Sequence, residues 1–320
     1  MPQNAASVRH VLVTRSEQGQ RVDNFLLKTL KGVPRSHVYR LVRTGQVRVN
    51  GGRVRPHTRL SAGDEVRVPP WRGPQPGRTV AVPSQLRARL AQAVVYEDAN
   101  WLVLNKPSGL AVHGGSGLNF GLIEAVRQWR SEAGSWELAH RLDRETSGCL
   151  LIAKERSALR AFHGALREGR VHKEYNALLI GAWRGGAQDV ERALVKNRLR
   201  GGERMVERAP EGERGLAARS RFVPQRVWPQ ASLVTVCIAT GRTHQIRVHA
   251  AGLGMPVAGD DKYGDRGANR DMRALGLKRL FLHARRLAFD LPPAVGALDV
   301  TAPLPSDLEA VLAALERRCG

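Results

Sequence analysis

The sequence predicts an α+β protein whose main domain is built on a large mixed or antiparallel sheet. Short apolar runs of strand length alternate along the chain with segments in which apolar residues recur at helical spacing. A smaller basic block with two helices and a few short strands comes first. We therefore expect a small domain at 1–69, a Pro- and Gly-rich linker at 70–84 and a large domain at 85–320.

The N-terminal block has a recognisable order of elements. Apolar residues repeat at helical spacing in two stretches, and Gly32-Val33-Pro34 and Gly45 follow them as helix ends. Asn50-Gly51 is a strong signal for a tight turn between strands. The predicted elements are strands at 7–14, 47–49 and 64–68 and helices at 22–30 and 35–43.

The large domain alternates strands and helices from residue 94 onwards. Its apolar runs predict buried strands, and 185–219, rich in glycine, arginine and glutamate, predicts loops and a mobile hairpin over the site. The predicted strands are 94–98, 101–104, 149–153, 172–180, strands within 222–238, and 280–284. The predicted helices are 120–130, 158–168, a short one within 241–251, and 306–317.

The charge balance points to a polyanionic partner. The 320 residues include 51 Lys and Arg against 29 Asp and Glu, a formal charge of +22. Residues 1–84 carry 15 of these bases and 4 acids, so the excess is densest there. Nucleic acid is the expected ligand of such a surface, although a solubility device or an arginine-rich coding bias would give the same composition.

Several functional classes are disfavoured. No apolar run reaches the length of a membrane span, and the N-terminus lacks the plan of a secretory signal, so we expect a cytoplasmic protein. The three cysteines are far apart and predict neither disulfides nor a metal site. The glycine-rich loop at 114–117 has neither the Walker spacing nor the dinucleotide-binding spacing of glycines that bind nucleotide phosphates, so we expect no nucleotide cofactor.

The stretch most suggestive of chemistry is His140-Arg141-Leu142-Asp143, followed by Thr146-Ser147-Gly148 and an apolar strand. Arginines beside Asp143 favour its ionised form, which makes it a candidate nucleophile or base. An aspartate that caps a helix or binds neighbouring amides is the ordinary alternative.

Three blocks in the same order resemble the pseudouridine synthases of large ribosomal RNA. The first is the Asp143 stretch, and the others are 173–178 (KEYNAL) and 240–249 (TGRTHQIRVH). Trp101 to Leu110, a strand running into Lys-Pro-x-Gly, resembles another block of the family. Features at 31–34, 114–118 and 156–160 are most similar to the subgroup that acts on bacterial 23S ribosomal RNA.

The resemblance implies a pseudouridine synthase fold and roles for four residues. Asp143 corresponds to the family's essential aspartate, and Arg247 to its ion-pair partner. Tyr175 would stack on the uracil and place its hydroxyl near the reacting carbon, unless it is only a core tyrosine. Arg141 would enter the RNA when the uridine leaves its stack. The reaction implied needs no metal and no cofactor.

The N-terminal block resembles the S4-type RNA-binding domain over about fifty residues. The likeness rests on 21–26 (RVDNFL), 45–51 (GQVRVNG) and 62–66 (AGDEV). Its arginines are expected to bind phosphates, with a solvated surface as the alternative. The candidate RNA contacts are Arg21, Arg35, Arg40, Arg43 and Arg48.

The expected partner is 23S ribosomal RNA, bound by a monomer at uridine-containing stem-loops. One rival hypothesis is a non-catalytic RNA-binding or ribosome-assembly protein. Another is a glycosidase-like hydrolase, which would need two carboxylates flanking the bond, whereas the sequence offers one clear candidate.

Overall fold

The computed structural model describes residues 7–30, 33, 35–71, 82–114, 121–200, 203–209 and 215–319. Most of the predicted linker, the glycine-rich loop and the Gly32-Val33-Pro34 helix end lie outside them. The chain divides into two compact units, Met1–Ala81 and Val82–Gly320. None of the helices in the described ranges is long and apolar enough to cross a membrane.

The first unit packs two helices on a small antiparallel sheet. Asn50 and Gly51 both have positive φ, as the predicted tight turn requires. Its core comprises the apolar faces of both helices, with Val22, Phe25, Val38 and Leu41 almost inaccessible to solvent. The elements are β1 (Arg9–Leu12), α1 (Val22–Thr29), α2 (Arg35–Arg43), β2 (Arg48–Val49), β3 (Gly52–Arg53) and β4 (Glu65–Val68), in the sheet order β1-β4-β2-β3.

The second unit is organised on one ten-stranded sheet with a separate two-stranded hairpin. Its helices are α3 (Ser84–Gln92), α4 (Leu122–Trp129), α5 (Arg156–Arg167), α6 (Gln245–Gly252), α7 (Arg266–Ala274) and α8 (Ser306–Cys319). Its strands are β5 (Val94–Glu97), β6 (Trp101–Lys106), β7 (Glu137–Leu138), β8 (Ser147–Ala153), β9 (Val171–Ile180), β10 (Gln188–Glu191), β11 (Leu194–Arg200), β12 (Glu203–Arg208), β13 (Arg219–Val227), β14 (Ala231–Ile238), β15 (Leu282–Phe289) and β16 (Leu298–Thr301).

The large sheet runs β10-β13-β14-β9-β15-β8-β6-β5, with β16 beside β15 and β7 beside β8. Within the described residues its pairings are antiparallel except for the parallel contact between β8 and β15. Alternate residues of β8 enter two different cores: Leu150 and Ile152 pack with α4 and α6, and Cys149 and Leu151 pack with α5. The sheet is thus covered on both faces, which explains the continuous apolar run of β8.

The parallel contact depends on Gly148. Its φ is +110°, and a Cβ there would lie 2.1 Å from the carbonyl oxygen of Ala284. Ala284 pairs on its other side with Tyr175. Gly148, Ala284 and Tyr175 therefore form one row across three neighbouring strands, and the loop that precedes β8 lies beside Tyr175.

A buried polar chain reinforces the same contact. Nη1 of Arg279 donates to Ser147 Oγ (3.2 Å), which donates to Nδ1 of His283 (3.0 Å), and Nε2 of His283 donates to the Ala302 carbonyl (3.1 Å). Burial lowers the pKa of His283 to about 4, so the ring is neutral at pH 7. Every polar atom of this ring is thereby satisfied inside the protein.

The α+β fold class and the large sheet are confirmed, and most predicted elements are found within a few residues. Two helices were not predicted. In α3 Leu90 is the buried residue, and α7 buries Asn269 and Met272, so neither presents a strong apolar stripe. The N-cap of α7 by Asp265, whose carboxylate accepts from the Ala268 amide, was the available signal.

We predict that Gly148→Ala prevents stable folding, costing more than about 3 kcal/mol, because both the positive φ and the Ala284 oxygen exclude a Cβ. Gly276→Ala is the matched control, since Gly276 also has positive φ (+95°) but open space around its Cβ position. It should cost only about 1 kcal/mol. Urea unfolding of both variants measures this, and equal losses would contradict it.

Candidate active site

One pocket brings together residues from several parts of the second unit. Arg141 and Asp143 come from the loop before β8, Tyr175 from β9, and Arg247 from α6. The turn at 241–244 and Leu282 at the start of β15 complete the lining. The narrow cavity of about 60 Å³ thus joins the three blocks that the sequence had separated.

The Asp143 loop is held by the turn that follows β6. Nζ of the fully buried Lys106 donates to the carbonyls of Pro107 (2.9 Å), Leu110 (2.8 Å) and Arg144 (2.9 Å). The Gly109 amide also donates to the Arg144 carbonyl (3.0 Å), and Ser108 Oγ donates to the carbonyl of Glu145 (2.7 Å). The turn and the loop are therefore fixed to each other immediately after Asp143.

Lys106 is a buried lysine without a carboxylate in contact. Burial lowers its pKa to about 7, while the charges of Glu145 and Asp143 act in the opposite direction. Its three carbonyl acceptors equal the three N–H donors of an ammonium group. Lys106 thus uses its hydrogen-bonding capacity to hold main-chain atoms.

Asp143 is a half-buried residue at the pocket, where its carboxylate has no hydrogen-bond or ion-pair partner among the described residues. Its main-chain carbonyl accepts from the Thr146 amide (3.1 Å), which closes a turn before β8. The carboxylate oxygens are therefore available to a bound molecule, in contrast to a capping aspartate.

Tyr175 is 7% exposed, and its ring packs with the core of the sheet while lining the pocket. Burial, with a smaller effect of the Asp143 charge, raises the pKa of its hydroxyl. The phenol is therefore protonated at neutral pH, and core packing and pocket lining are combined in one side chain.

Arg247 lies in the pocket but differs from the expectation. Its Nε and Nη2 donate to both oxygens of the buried Asp260, each at 2.7 Å. Across the described residues no ion pair within 4.0 Å joins Arg247 to Asp143, the partner that the resemblance implied. Burial acts to lower the pKa of Arg247, but the Asp260 hydrogen bonds and charge, with a further contribution from Asp143, raise it overall.

Tyr263 and His244 support Arg247. The Arg247 guanidinium lies 5.0 Å from the centre of the Tyr263 ring. The Tyr263 hydroxyl accepts from the Val206 amide of β12 (3.1 Å) and donates to Nδ1 of His244 (2.8 Å). His244 has φ +54°, a rare conformation for a non-glycine residue, at the start of α6.

The candidate RNA-binding arginines of the first unit lie on or beside its two helices and sheet. Arg40 and Arg43 are exposed on α2, and Nη2 of Arg40 contacts His37 Nδ1 (2.8 Å). Arg48 donates to the Gly51 carbonyl (3.1 Å), and Arg21 is engaged by Asp23. Arg35 begins α2, and its side chain is outside the described residues.

Sequence reasoning missed Asp260, Tyr263 and Lys106 as members of the site. Asp260 and Tyr263 lie between the predicted short helix within 241–251 and the predicted strand at 280–284, where the sequence predicts no helix or strand. Lys106 had a detectable signal, because a lysine that ends an apolar strand must find buried acceptors or reach solvent.

We predict that Lys106→Met loosens the Asp143 loop, because the Pro107 and Leu110 carbonyls lose this donor, at a cost on the order of 3 kcal/mol. The amides of Gly109 and Thr146 should exchange hydrogen at least about ten times faster. Lys154→Met, at the opposite end of the β6–β8 pair, is the control. Unchanged exchange in Lys106→Met would show that the loop is held by other contacts.

Comparison with known proteins gives a consistent result. The RNA pseudouridylate synthase family matches residues 100–252, and the S4 domain matches residues 20–66. Proteins named ribosomal large subunit pseudouridine synthase C are similar over nearly the whole chain. That of Haemophilus ducreyi is 47% identical, covering 97% of both chains, and that of Escherichia coli K12 is 48% identical, covering 98% of both.

Two solved human structures share the fold of the second unit. RNA pseudouridylate synthase domain containing 4 has a TM-score of 0.60 at 25% identity, covering 72% of this chain and 96% of that one. RNA pseudouridylate synthase domain containing 1 has a TM-score of 0.58 at 27% identity, covering 68% of this chain and 86% of that one. The chain therefore belongs to the ribosomal large subunit pseudouridine synthases, enzymes that isomerise uridine in RNA, and carries an S4 domain before its catalytic domain.

Proposed function

We propose that this enzyme converts specific uridines of 23S ribosomal RNA to pseudouridine, with Asp143 as the essential carboxylate acting on a uridine turned out of its stack. We place this activity in the cytoplasm, where the RNA is found. The similarity to synthases named for the large ribosomal subunit supports the choice of RNA.

The proposal rests on one observation, namely that the Asp143 carboxylate lies at the pocket without a partner among the described residues. Among the described residues it is the only carboxylate that lines the pocket, and no side chain or amide binds its oxygens. A carboxylate that lines a pocket and has no partner within the protein is a candidate for contact with a ligand. The neighbouring acid, Asp260, is instead occupied by Arg247 and two amides.

The reaction breaks the bond between the ribose and the base nitrogen, rotates the base and rejoins it through carbon; the proton at that carbon leaves and the freed nitrogen takes up a proton. A carboxylate directed at the sugar supplies the electron pair that these reaction steps require. The atoms of the uridine are conserved, so the enzyme must keep the detached base in place. A confined pocket with a protein wall on each side serves that need.

Tyr175 and Arg247 act around the carboxylate. The Tyr175 ring provides an apolar face for the uracil, and its protonated hydroxyl donates hydrogen bonds without adding a second negative charge. Arg247, fixed by Asp260, presents positive charge to the same pocket as Asp143. Its pairing with Asp260 leaves the Asp143 carboxylate without a direct ion pair that substrate would have to break.

Extraction of the uridine requires contacts outside the pocket. Removing a base from its stack costs a few kcal/mol, which the rest of the interface must supply. Arg141 is exposed at the pocket rim, two residues before Asp143, and we assign it the entry into the RNA. The S4 arginines supply phosphate contacts that do not depend on base sequence.

The glycosidase-like alternative is disfavoured by the same pocket, since a second free carboxylate is missing from its described lining. The non-catalytic RNA-binding alternative leaves the unpartnered Asp143 oxygens and the Arg247–Asp260 support without a use. It remains the direct competitor in the experiments below.

We expect Asp143→Asn to abolish isomerisation, by at least about a thousandfold, while RNA affinity changes less than about threefold. Glu145→Gln is the control, because Glu145 is an exposed acid in the same loop. Carbodiimide labelling and primer extension of 23S ribosomal RNA would compare cells with the wild-type gene, without it, and with each variant. Specific stops should vanish without the gene and with Asp143→Asn, and remain with Glu145→Gln.

Turnover in purified Asp143→Asn would remove the aspartate from its role. Stops that persist in every strain would favour another RNA or the non-catalytic hypothesis.

We expect Arg40→Gln/Arg43→Gln/Arg48→Gln to weaken RNA binding and lower the slope of log affinity against log salt by about 2, because each lost phosphate contact removes about 0.7 to 0.9. Arg270→Gln/Arg317→Gln/Arg318→Gln removes the same charge from exposed helix positions of the second unit and is the control. Binding would be measured between 50 and 300 mM salt. Equal slopes in the two triple variants would exclude specific phosphate contacts by the S4 arginines.

A further inference from the structure

A second cavity of about 500 Å³ adjoins the candidate active site. It shares Arg141, Tyr175 and Arg242 with the first pocket and extends towards the end of α5 and the start of β9. Because the two cavities have common walls, a chain molecule seated in the first continues directly into the second. The roles proposed above leave this space without an occupant.

Lys173 lies in the wall of this cavity as a buried and unpartnered cation. It is 7% exposed and has no hydrogen-bond or ion-pair partner among the described residues. A Cβ added at Gly241 would lie 3.7 Å from its Nζ, so the glycine leaves the ammonium uncovered. Burial first, and then the charge of Arg242, lower the pKa of Lys173 to about 8.

An unpaired ammonium on a side chain that is 7% exposed is costly to maintain, and other buried cations of this unit are compensated. Arg247 has Asp260, and Lys106 has three carbonyls. Lys173 lacks both kinds of compensation, which indicates that its partner arrives from outside the protein.

The other charges of the cavity have the same sign. Arg141, Arg167 and Arg242 are exposed at its mouth, and the part of its wall that the structure describes contains no carboxylate. His140 adds no positive charge, because its Nε2 accepts from the Leu151 amide (3.1 Å) and burial lowers its pKa to about 3. Four cations around one concavity form a binding site for an anion.

The position of Lys173 identifies the anion. Lys173 and Tyr175 are two residues apart on β9 and point to the same face, which places their Cα atoms roughly 6.5 Å apart. A polynucleotide with a base against Tyr175 carries phosphodiesters within one nucleotide of that ring. We propose that this cavity binds the phosphodiester adjacent to the target uridine, with Lys173 as its buried cationic ligand. This inference rests on the proposed function, because it uses the uridine bound at Tyr175.

The decisive experiment neutralises the phosphate and the lysine separately and together. Short RNA substrates would carry a single methylphosphonate, which is uncharged, at each linkage from two before to two after the target uridine. Wild type and Lys173→Met would be compared by kcat/KM on every substrate. Lys278→Met, which removes an exposed lysine from the same unit, is the control.

We expect one linkage next to the uridine at which methylphosphonate lowers wild-type kcat/KM about 10- to 100-fold. Lys173→Met should show a similar loss on unmodified RNA and no further loss at that linkage. Lys278→Met should behave as wild type. Because Lys173→Met removes an unpaired buried charge, its thermal stability should equal or exceed that of the wild type, unlike the loss of a structural residue.

The contrary results are equally defined. If the losses of kcat/KM caused by methylphosphonate and by Lys173→Met multiply at every linkage, the lysine does not bind a flanking phosphate. The proposed isomerase activity would be unaffected by that result. If inorganic phosphate at millimolar concentration inhibits wild type but not Lys173→Met and no linkage couples, the cavity binds free phosphate instead. An inactive wild type would overturn the proposed function itself.

Should Lys173→Met fail to fold, Arg167→Gln replaces it. Arg167 is exposed on α5 at the mouth of the same cavity. In Arg167→Gln, methylphosphonate at the same linkage should lower kcat/KM by less than it does in the wild type. If the two losses of kcat/KM instead multiply at that linkage, the proposal is overturned.

Discussion

The contact between Gly148 and Ala284 is the constraint on which the site depends. Neighbouring strands of this sheet are otherwise antiparallel within the described residues, and the parallel pairing of β8 with β15 joins Ser147 and Gly148 to His283 and Ala284. It aligns the start of β8 with Tyr175 on β9. The loop that precedes β8 therefore lies beside Tyr175. The main-chain geometry of the strands thus places Asp143 at the pocket before any side-chain contact contributes.

The charged side chains around the active site fall into three groups according to their partners in the protein. Lys106 binds carbonyls and fixes a loop, and Arg247 pairs with Asp260 and presents a stable positive charge. Asp143 and Lys173 have no partner of either kind among the described residues. The first two arrangements stabilise the free protein, whereas the last two leave electrostatic free energy unused until a ligand arrives. The contrast separates the supporting residues of the site from those that meet RNA.

Much of the fold and part of the site could be predicted from the sequence. The apolar run of β8, the turn at Asn50-Gly51 and the three blocks around Asp143, Tyr175 and Arg247 have local signals, and the pocket joins those blocks. The Arg247–Asp260 pair could not be predicted, because a bidentate ion pair between a helix and a turn depends on their approach in three dimensions. The cavity at Lys173 was equally hidden, since lysine in a strand gives no sign of whether it is covered.

Val206 participates in the site through its main-chain amide, while its buried side chain packs in a small core with Leu194 and Val248. Its amide donates to Tyr263, which contacts His244 and lies under Arg247. Because the donor is a peptide group, every amino acid except proline preserves this link. A change of side chain at position 206 can therefore alter the small core around Val248 while the hydrogen bond to the site is kept.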